Sequence, residues 1–133
     1  MPQLQSLVLT DRTPVTPVNL TFVPRDIDPN GVGSVINNSG TPIGEKRFSV
    51  QMKRANNRYR GEVRLSLPVV ATEVINGVSS PVVVRTAFVT LTATFDEKST
   101  QQERDDAIGM MSSALATSKV LVNDALVKLE GVY

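Results

Sequence analysis

The sequence contains no cysteine, no histidine and no tryptophan. Without thiols it can build no disulfide framework, thiolate metal site or cysteine nucleophile. Without an imidazole it has no Ser-His-Asp triad and no side chain that ordinarily titrates near neutral pH. Aromatic residues make up only 5% of the chain, so the core must be aliphatic, rich in Val and Leu. Long hydrophobic runs are missing as well. Pro81-Val82-Val83-Val84 is typical of the longest and falls far short of a membrane span. The opening MPQLQSLVLT has no basic n-region and no extended apolar h-region, so no signal peptide is expected. These absences lead us to expect no enzymatic activity, no cofactor, no metal and no membrane partner.

What is present is ordinary in amount and unusual in distribution. The 133 residues are 41% apolar and 20% charged, as in a soluble globular chain. That length predicts a single domain, 1–133, able to bury a core without staples. Basic and acidic residues number 14 and 13. Seven of the bases nevertheless lie between Lys46 and Arg64, where Glu62 alone opposes them. A sharply basic segment therefore sits in a chain of almost no net charge.

The first two thirds read as strands. Leu4 to Leu9 is one, and Val18 to Val23 another, with Val18, Leu20 and Phe22 alternating against Asn19 and Thr21. Asp28-Pro29-Asn30-Gly31 is a turn signal, since Pro presets φ and Asn-Gly tolerates positive φ. A short strand is expected over Val32 to Ile36, then a loop at Asn37-Asn38-Ser39-Gly40. In the basic segment Phe48, Val50 and Met52 point one way, and Arg47, Ser49, Gln51 and Lys53 the other. After a turn at Ala55-Asn56-Asn57, one face carries Tyr59, Gly61, Val63, Leu65 and Leu67. The opposite face carries Arg58, Arg60, Glu62, Arg64 and Ser66. From Pro68 to Pro81 the pattern weakens and a long loop is expected. A last strand, about Val84 to Phe95, sets Phe88, Thr90, Thr92 and Thr94 against Ala87, Val89, Leu91 and Ala93.

The period then changes. Thr100 followed by Glu103 fits a capping box, and Glu103, Asp105 and Asp106 suit the positive end of a helix dipole. Ile108, Met111 and Leu115 recur at helical spacing. Thr117-Ser118 marks a break before a second helix carrying Leu121, Val122, Ala125, Leu126 and Leu129. Strands followed by helices give an α+β fold with helices on one face of an antiparallel sheet. The last strand is left as an edge open to pairing with another chain.

The carboxylates of Glu103, Asp105 and Asp106 are explained by helix-start chemistry, and Gly31-Val32-Gly33 lacks the Lys-Ser/Thr of a phosphate loop. The basic hairpin admits two readings, a solvated sheet face or a nucleic-acid surface. Guanidiniums suit phosphates bidentately. Ser49, Gln51 and Thr90 add hydrogen-bonding groups, and Phe88 offers a ring for base stacking. Glu62 either pairs with Arg60 or Arg64 or accepts from a base amino group.

In order and spacing, the residues resemble coat proteins of single-stranded RNA bacteriophages, closest to the Qbeta type. The likeness is carried by Asp28-Pro29-Asn30-Gly31-Val32, Glu45-Lys46-Arg47, the segment Arg58 to Leu65, and Arg85-Thr86-Ala87-Phe88. Ser99-Thr100 with Glu103-Arg104 and the terminal Tyr133 complete it. The resemblance implies an N-terminal hairpin, a five-stranded antiparallel sheet and two C-terminal helices, in an interlocked homodimer whose helices lie across the partner. It implies an icosahedral capsid in the virion, assembled in the bacterial host cytoplasm, with contacts around symmetry axes made by the loop from Val69 to Pro81. It also implies RNA partners, the single-stranded genome and a stem-loop bound in translational repression. The matching RNA-reading positions are Val32, Arg47, Ser49, Gln51, Lys53, Arg58, Arg60, Glu62, Arg64, Phe88 and Thr90. Phe88 stands where the family has a tyrosine, and Gln51 where it has a small serine. The alternative function is a non-assembling dimeric RNA-binding regulator.

Overall fold

A computed structural model describes residues 3–37 and 42–132. The chain forms two compact units, Met1–Thr94 and Phe95–Tyr133. The first is a six-stranded sheet in sequence order. Its strands are β1 (Leu7–Thr10), β2 (Asn19–Ile27), β3 (Gly33–Asn37), β4 (Lys46–Ala55), β5 (Arg58–Ile75) and β6 (Val78–Asp96). The second holds α1 (Gln101–Ala114) and α2 (Val120–Val127).

Three turns of the sheet have a local cause. Asp11 closes the β1–β2 connection: its carboxylate accepts from the Thr13 and Val18 amides at 3.1 and 2.8 Å and from the Thr13 hydroxyl at 2.8 Å. These bonds favour the ionised form and hold its pKa below the ordinary aspartate value. The stabilisation they supply is therefore complete above that ordinary value and is lost only as pH falls through the lowered one. Asp28 closes the β2–β3 turn through hydrogen bonds of its own. Its backbone carbonyl accepts from Gly31 at 3.0 Å, and its carboxylate from the Asn30 and Val32 amides at 2.9 and 3.0 Å. Between β4 and β5 the two turn residues, Asn56 and Asn57, have φ of 48° and 66°. Positive φ at both centres marks the turn whose twist matches a hairpin.

The antiparallel register agrees with the expected division of faces. Phe48 opposes Leu65, Val50 opposes Val63, and Met52 opposes Gly61. A Cβ on Gly61 would lie 3.0 Å from the Met52 methyl, so the glycine makes room for that side chain. Arg54 lies over the Tyr59 ring at 5.5 Å from its centroid. On β3, Val35 opposes Phe48 and is buried. Phe22, opposite Leu7 on β1, is only 1% exposed.

The expected architecture of an antiparallel sheet followed by two helices is found, with a slightly different strand count, six in one meander. Two expectations are corrected. β2 continues past Val23 to Ile27 because a bulge accommodates Pro24: Pro24 opposes Val35, the next pair is Asp26 with Ser34, and Arg25 is the extra residue. The stretch from Val69 to Pro81 is a hairpin rather than a loop. β5 and β6 run through it to a two-residue turn at Asn76 and Gly77, with φ of 51° and 79°. Asn-Gly is the strongest short hairpin signal, and the flanks are rich in β-branched residues. Pro68 does not interrupt β5 because it lies past the last β4 pairing, Arg47 with Ser66. The loop expected at 37–40 is described only at Asn37, the last residue of β3; 38–40 lie outside the described residues.

In the helical unit the Thr100 hydroxyl accepts from the Glu103 amide at 3.2 Å, as the capping pattern predicts. The Arg104 guanidinium donates to the Ser99 carbonyl and hydroxyl at 2.6 and 2.9 Å, fixing the entry to α1. The break falls where expected, between Leu115 and Lys119. Leu129 lies beyond α2 with φ of 60°. Most of the large apolar residues of both helices, Ile108, Met111 and Leu121 among them, are exposed on this chain.

Candidate nucleic-acid interface

The register that turns Phe48 and Val63 one way turns the bases the other. Arg47 opposes Ser66, Ser49 opposes Arg64, Gln51 opposes Glu62, Lys53 opposes Arg60, and Ala55 opposes Arg58. Eight of the expected positions therefore share one face of a single hairpin. Of the seven bases in the segment, Lys46 and Arg54 fall on the other face by the same alternation. The polar face is thus a more selective grouping than the raw charge run.

Its electrostatics are defined by one pairing. The Arg64 Nε donates to Glu62 Oε1, which settles the partner of Glu62 in this chain. Arg47, Lys53, Arg58 and Arg60 are in no ion pair with a described residue. They are all exposed. Two adjacent strands thus present four uncompensated cations, interleaved with Ser49, Gln51 and Ser66, to one side.

Val32 joins this face from the β2–β3 turn. Ser34 opposes Ser49, so Val32, two residues earlier, has the same parity. The Gln51 amide reaches towards it and donates to the Asn30 carbonyl at 3.2 Å. On β6, Phe88 is 75% exposed. It lines an open hollow of about 310 Å³ together with Glu45, Arg47, Ser66, Pro68 and Thr86. The ring therefore stands on the Arg47 side of the sheet, and Thr90, two residues on, shares its parity.

Some members of the face escape sequence reasoning. Asp26 is set opposite Ser34 by the bulge, whereas strict alternation from Phe22 places it on the apolar side. No periodicity announces that change. Glu45 rims the hollow with its carboxylate bonded to the Arg25 guanidinium at 3.0 Å. Ser66 is on the face by simple alternation and is legible in the sequence, although it has no place in the expected RNA-reading set. Chemically, the assembled surface can bind phosphates through guanidinium and ammonium groups, stack a base on Phe88 and hydrogen-bond base edges or ribose through Ser49, Gln51 and Thr90. Among the described residues no cluster of groups suits a metal ion.

Comparison with known proteins places the whole chain. A model of the Levivirus coat protein family matches residues 2–133, across both compact units. The capsid protein of Pseudomonas phage PRR1 is 47% identical over 132 residues, covering 98% of this chain and 99% of its own length. The capsid protein of Escherichia virus Qbeta is 32% identical over 118 residues, 86% of each chain. The solved virus-like particle of bacteriophage NT-214 contains a chain of the same fold, with TM-score 0.85 and 26% identity over 99% of this chain and 100% of that one. These relatives are structural proteins rather than enzymes, in agreement with the lack of a catalytic constellation in the sequence. With full-length matches in sequence and in fold, this chain belongs to the Levivirus coat protein family.

Proposed function

We propose that this coat protein is a shell-forming subunit that pairs into dimers, closes into icosahedral particles and binds single-stranded phage RNA on the polar sheet face. As a coat protein its place is the virion. The observation that carries the RNA reading is the register: Arg47, Lys53, Arg58 and Arg60 project from one face of β4 and β5 beside the exposed Phe88. The same face is suited to an RNA stem-loop, and through it to translational repression.

Self-association is supported by what the single chain leaves uncovered. Met52, Val50 and Val89 on the apolar sheet side are exposed, as are Met110, Met111 and Leu126 in the helices. An open hollow of about 610 Å³ lies between α1 and α2, lined by Met110, Ala114, Val120 and Leu121 among others. β6 ends the sheet order, leaving one side of its backbone with no strand beside it among the described residues. A second copy supplies both a strand for that edge and apolar cover, and the capsid relatives support further assembly into particles.

Titrating a phage-derived RNA stem-loop against the protein over a range of salt concentrations tests the face. Each phosphate that a side chain neutralises adds about one unit to the slope of log affinity against log salt. Arg60→Ala should therefore flatten that slope by about one unit if its guanidinium neutralises one phosphate. Arg64→Ala should flatten it less, because Glu62 already engages that guanidinium. An unchanged slope for Arg60→Ala counts against this surface as the RNA site. In the same assay Phe88→Ala should weaken binding by about 1–3 kcal/mol if a base stacks on the ring, while Phe88→Tyr retains it. Undiminished affinity of the alanine variant rules out the stacking role.

A further inference from the structure

The sequence contains two Asn-Gly pairs, Asn30-Gly31 and Asn76-Gly77, and the structure treats them differently. We propose that Asn76 is a site of spontaneous backbone-assisted deamidation in the folded protein, and that Asn30 is protected from the same reaction by Asp28. The chemistry needs only water. The deprotonated Gly77 nitrogen attacks the Asn76 side-chain carbonyl carbon; a new N–Cγ bond forms, the Cγ–Nδ2 bond breaks, and ammonia leaves. Water then adds to either carbonyl of the resulting five-membered imide and opens it. The product at position 76 is aspartate or isoaspartate, with no change of oxidation state.

Steric access does not distinguish the two sites. A Cβ built on either Gly31 or Gly77 would meet no atom within 4 Å, so both glycines are open on that side. Both glycines also sit at positive φ, 81° and 79°. Hydrogen bonding does distinguish them. The Gly31 amide, which would be the nucleophile, donates to the Asp28 carbonyl at 3.0 Å. The amides on either side, Asn30 and Val32, are tied to the Asp28 carboxylate at 2.9 and 3.0 Å. Bringing the Gly31 nitrogen onto the Asn30 side chain requires this network to open. By contrast, no described residue accepts a hydrogen bond from the Gly77 amide. Its neighbours at the hairpin tip, Val74, Ile75 and Val78, are exposed, so relaxing the turn sacrifices little apolar burial.

The consequence is local and specific. Either product places a carboxylate at the tip of the β5–β6 hairpin, beside the exposed apolar residues Val74, Ile75 and Val78. The isoaspartate form also adds a methylene to the backbone of a two-residue turn, whose geometry depends on that count.

The test incubates the purified full-length protein at mildly alkaline pH and follows both sites by peptide mapping. Trypsin separates them: cleavage after Arg64 and Arg85 isolates Asn76, and cleavage after Arg25 and Lys46 isolates Asn30. Fragment-ion sequencing assigns the position of each conversion. In the folded protein Asn76 should convert about tenfold faster than Asn30, the factor expected from hydrogen bonds that must be broken at one site only. In denaturant the two rates should converge, and Asp28→Ala should raise the Asn30 rate towards that of Asn76. Equal rates in the folded protein, faster conversion at Asn30, or no conversion at Asn76 each overturn the proposal.

Discussion

Replacing Phe22 by alanine is expected to lower unfolding stability by about 3–5 kcal/mol, the usual cost of removing a wholly buried phenylalanine. In most domains such a loss is spread against a large remaining core. Here Phe22 and Val35 are the only buried apolar side chains among the described residues, and of the two only Phe22 is fully buried. Phe22 holds β1 to β2 through its pairing with Leu7, and Val35 anchors β3 between Pro24 and Phe48. The ring thus sits where the first strand joins the rest of the sheet. Domains of this size have roughly 5–15 kcal/mol in total, so the variant should unfold at markedly lower urea concentration with an unchanged slope. Measured at fixed protein concentration, a loss below about 1 kcal/mol would show that the site collapses around the vacancy and that the sheet is held elsewhere.

The second large effect concerns the uncovered apolar side. Val89 is 58% exposed on the single chain, and a charged substitution at a surface position ordinarily shifts stability by no more than about 0.5 kcal/mol. If a second copy covers that side, Val89→Asp buries a carboxylate with no partner. Its desolvation then costs more than about 3 kcal/mol, which is over roughly a hundredfold in the dimer dissociation constant. The expected result is a chain that no longer pairs or assembles at concentrations where the parent does, seen by sedimentation or by light scattering. Tolerance of the aspartate, with association unchanged, would mean that Val89 stays in water in the assembled protein.

Much of the fold is legible in the sequence because its signals are local. Alternation from Phe48 to Lys53 and from Arg58 to Leu67 sorts both faces of the central hairpin, and the two-residue turn then fixes their register. Asp28-Pro29-Asn30-Gly31 and the Thr100–Glu103 cap likewise declare themselves within four residues. What escapes depends on less local causes. The stretch Val69 to Pro81 hides a hairpin because Glu73, Ser79, Ser80 and Pro81 follow no two-residue rhythm. A strand whose side chains are largely exposed on both sides has no buried face to impose one. The bulge at Arg25 is equally silent, although it moves Asp26 across the sheet. The candidate site follows the same division. Its cations come from alternation alone, whereas the Glu62–Arg64 pair, the Gln51 bond to Asn30 and the hollow beside Phe88 require the three-dimensional register. Helical spacing assigns the apolar helix stripes to a core. On one chain they are uncovered, which is why the question of whose core they join leads to a second copy.

Whether this chain assembles by itself around RNA is tested most directly by electron microscopy of the protein expressed alone, with nucleic acid extracted from the same purified fraction. Closed shells of uniform size are expected, containing RNA protected from nuclease. Stable dimers that never form particles would instead favour a non-assembling RNA-binding regulator, and shells devoid of RNA would contradict the role assigned to the Arg47, Lys53, Arg58 and Arg60 face.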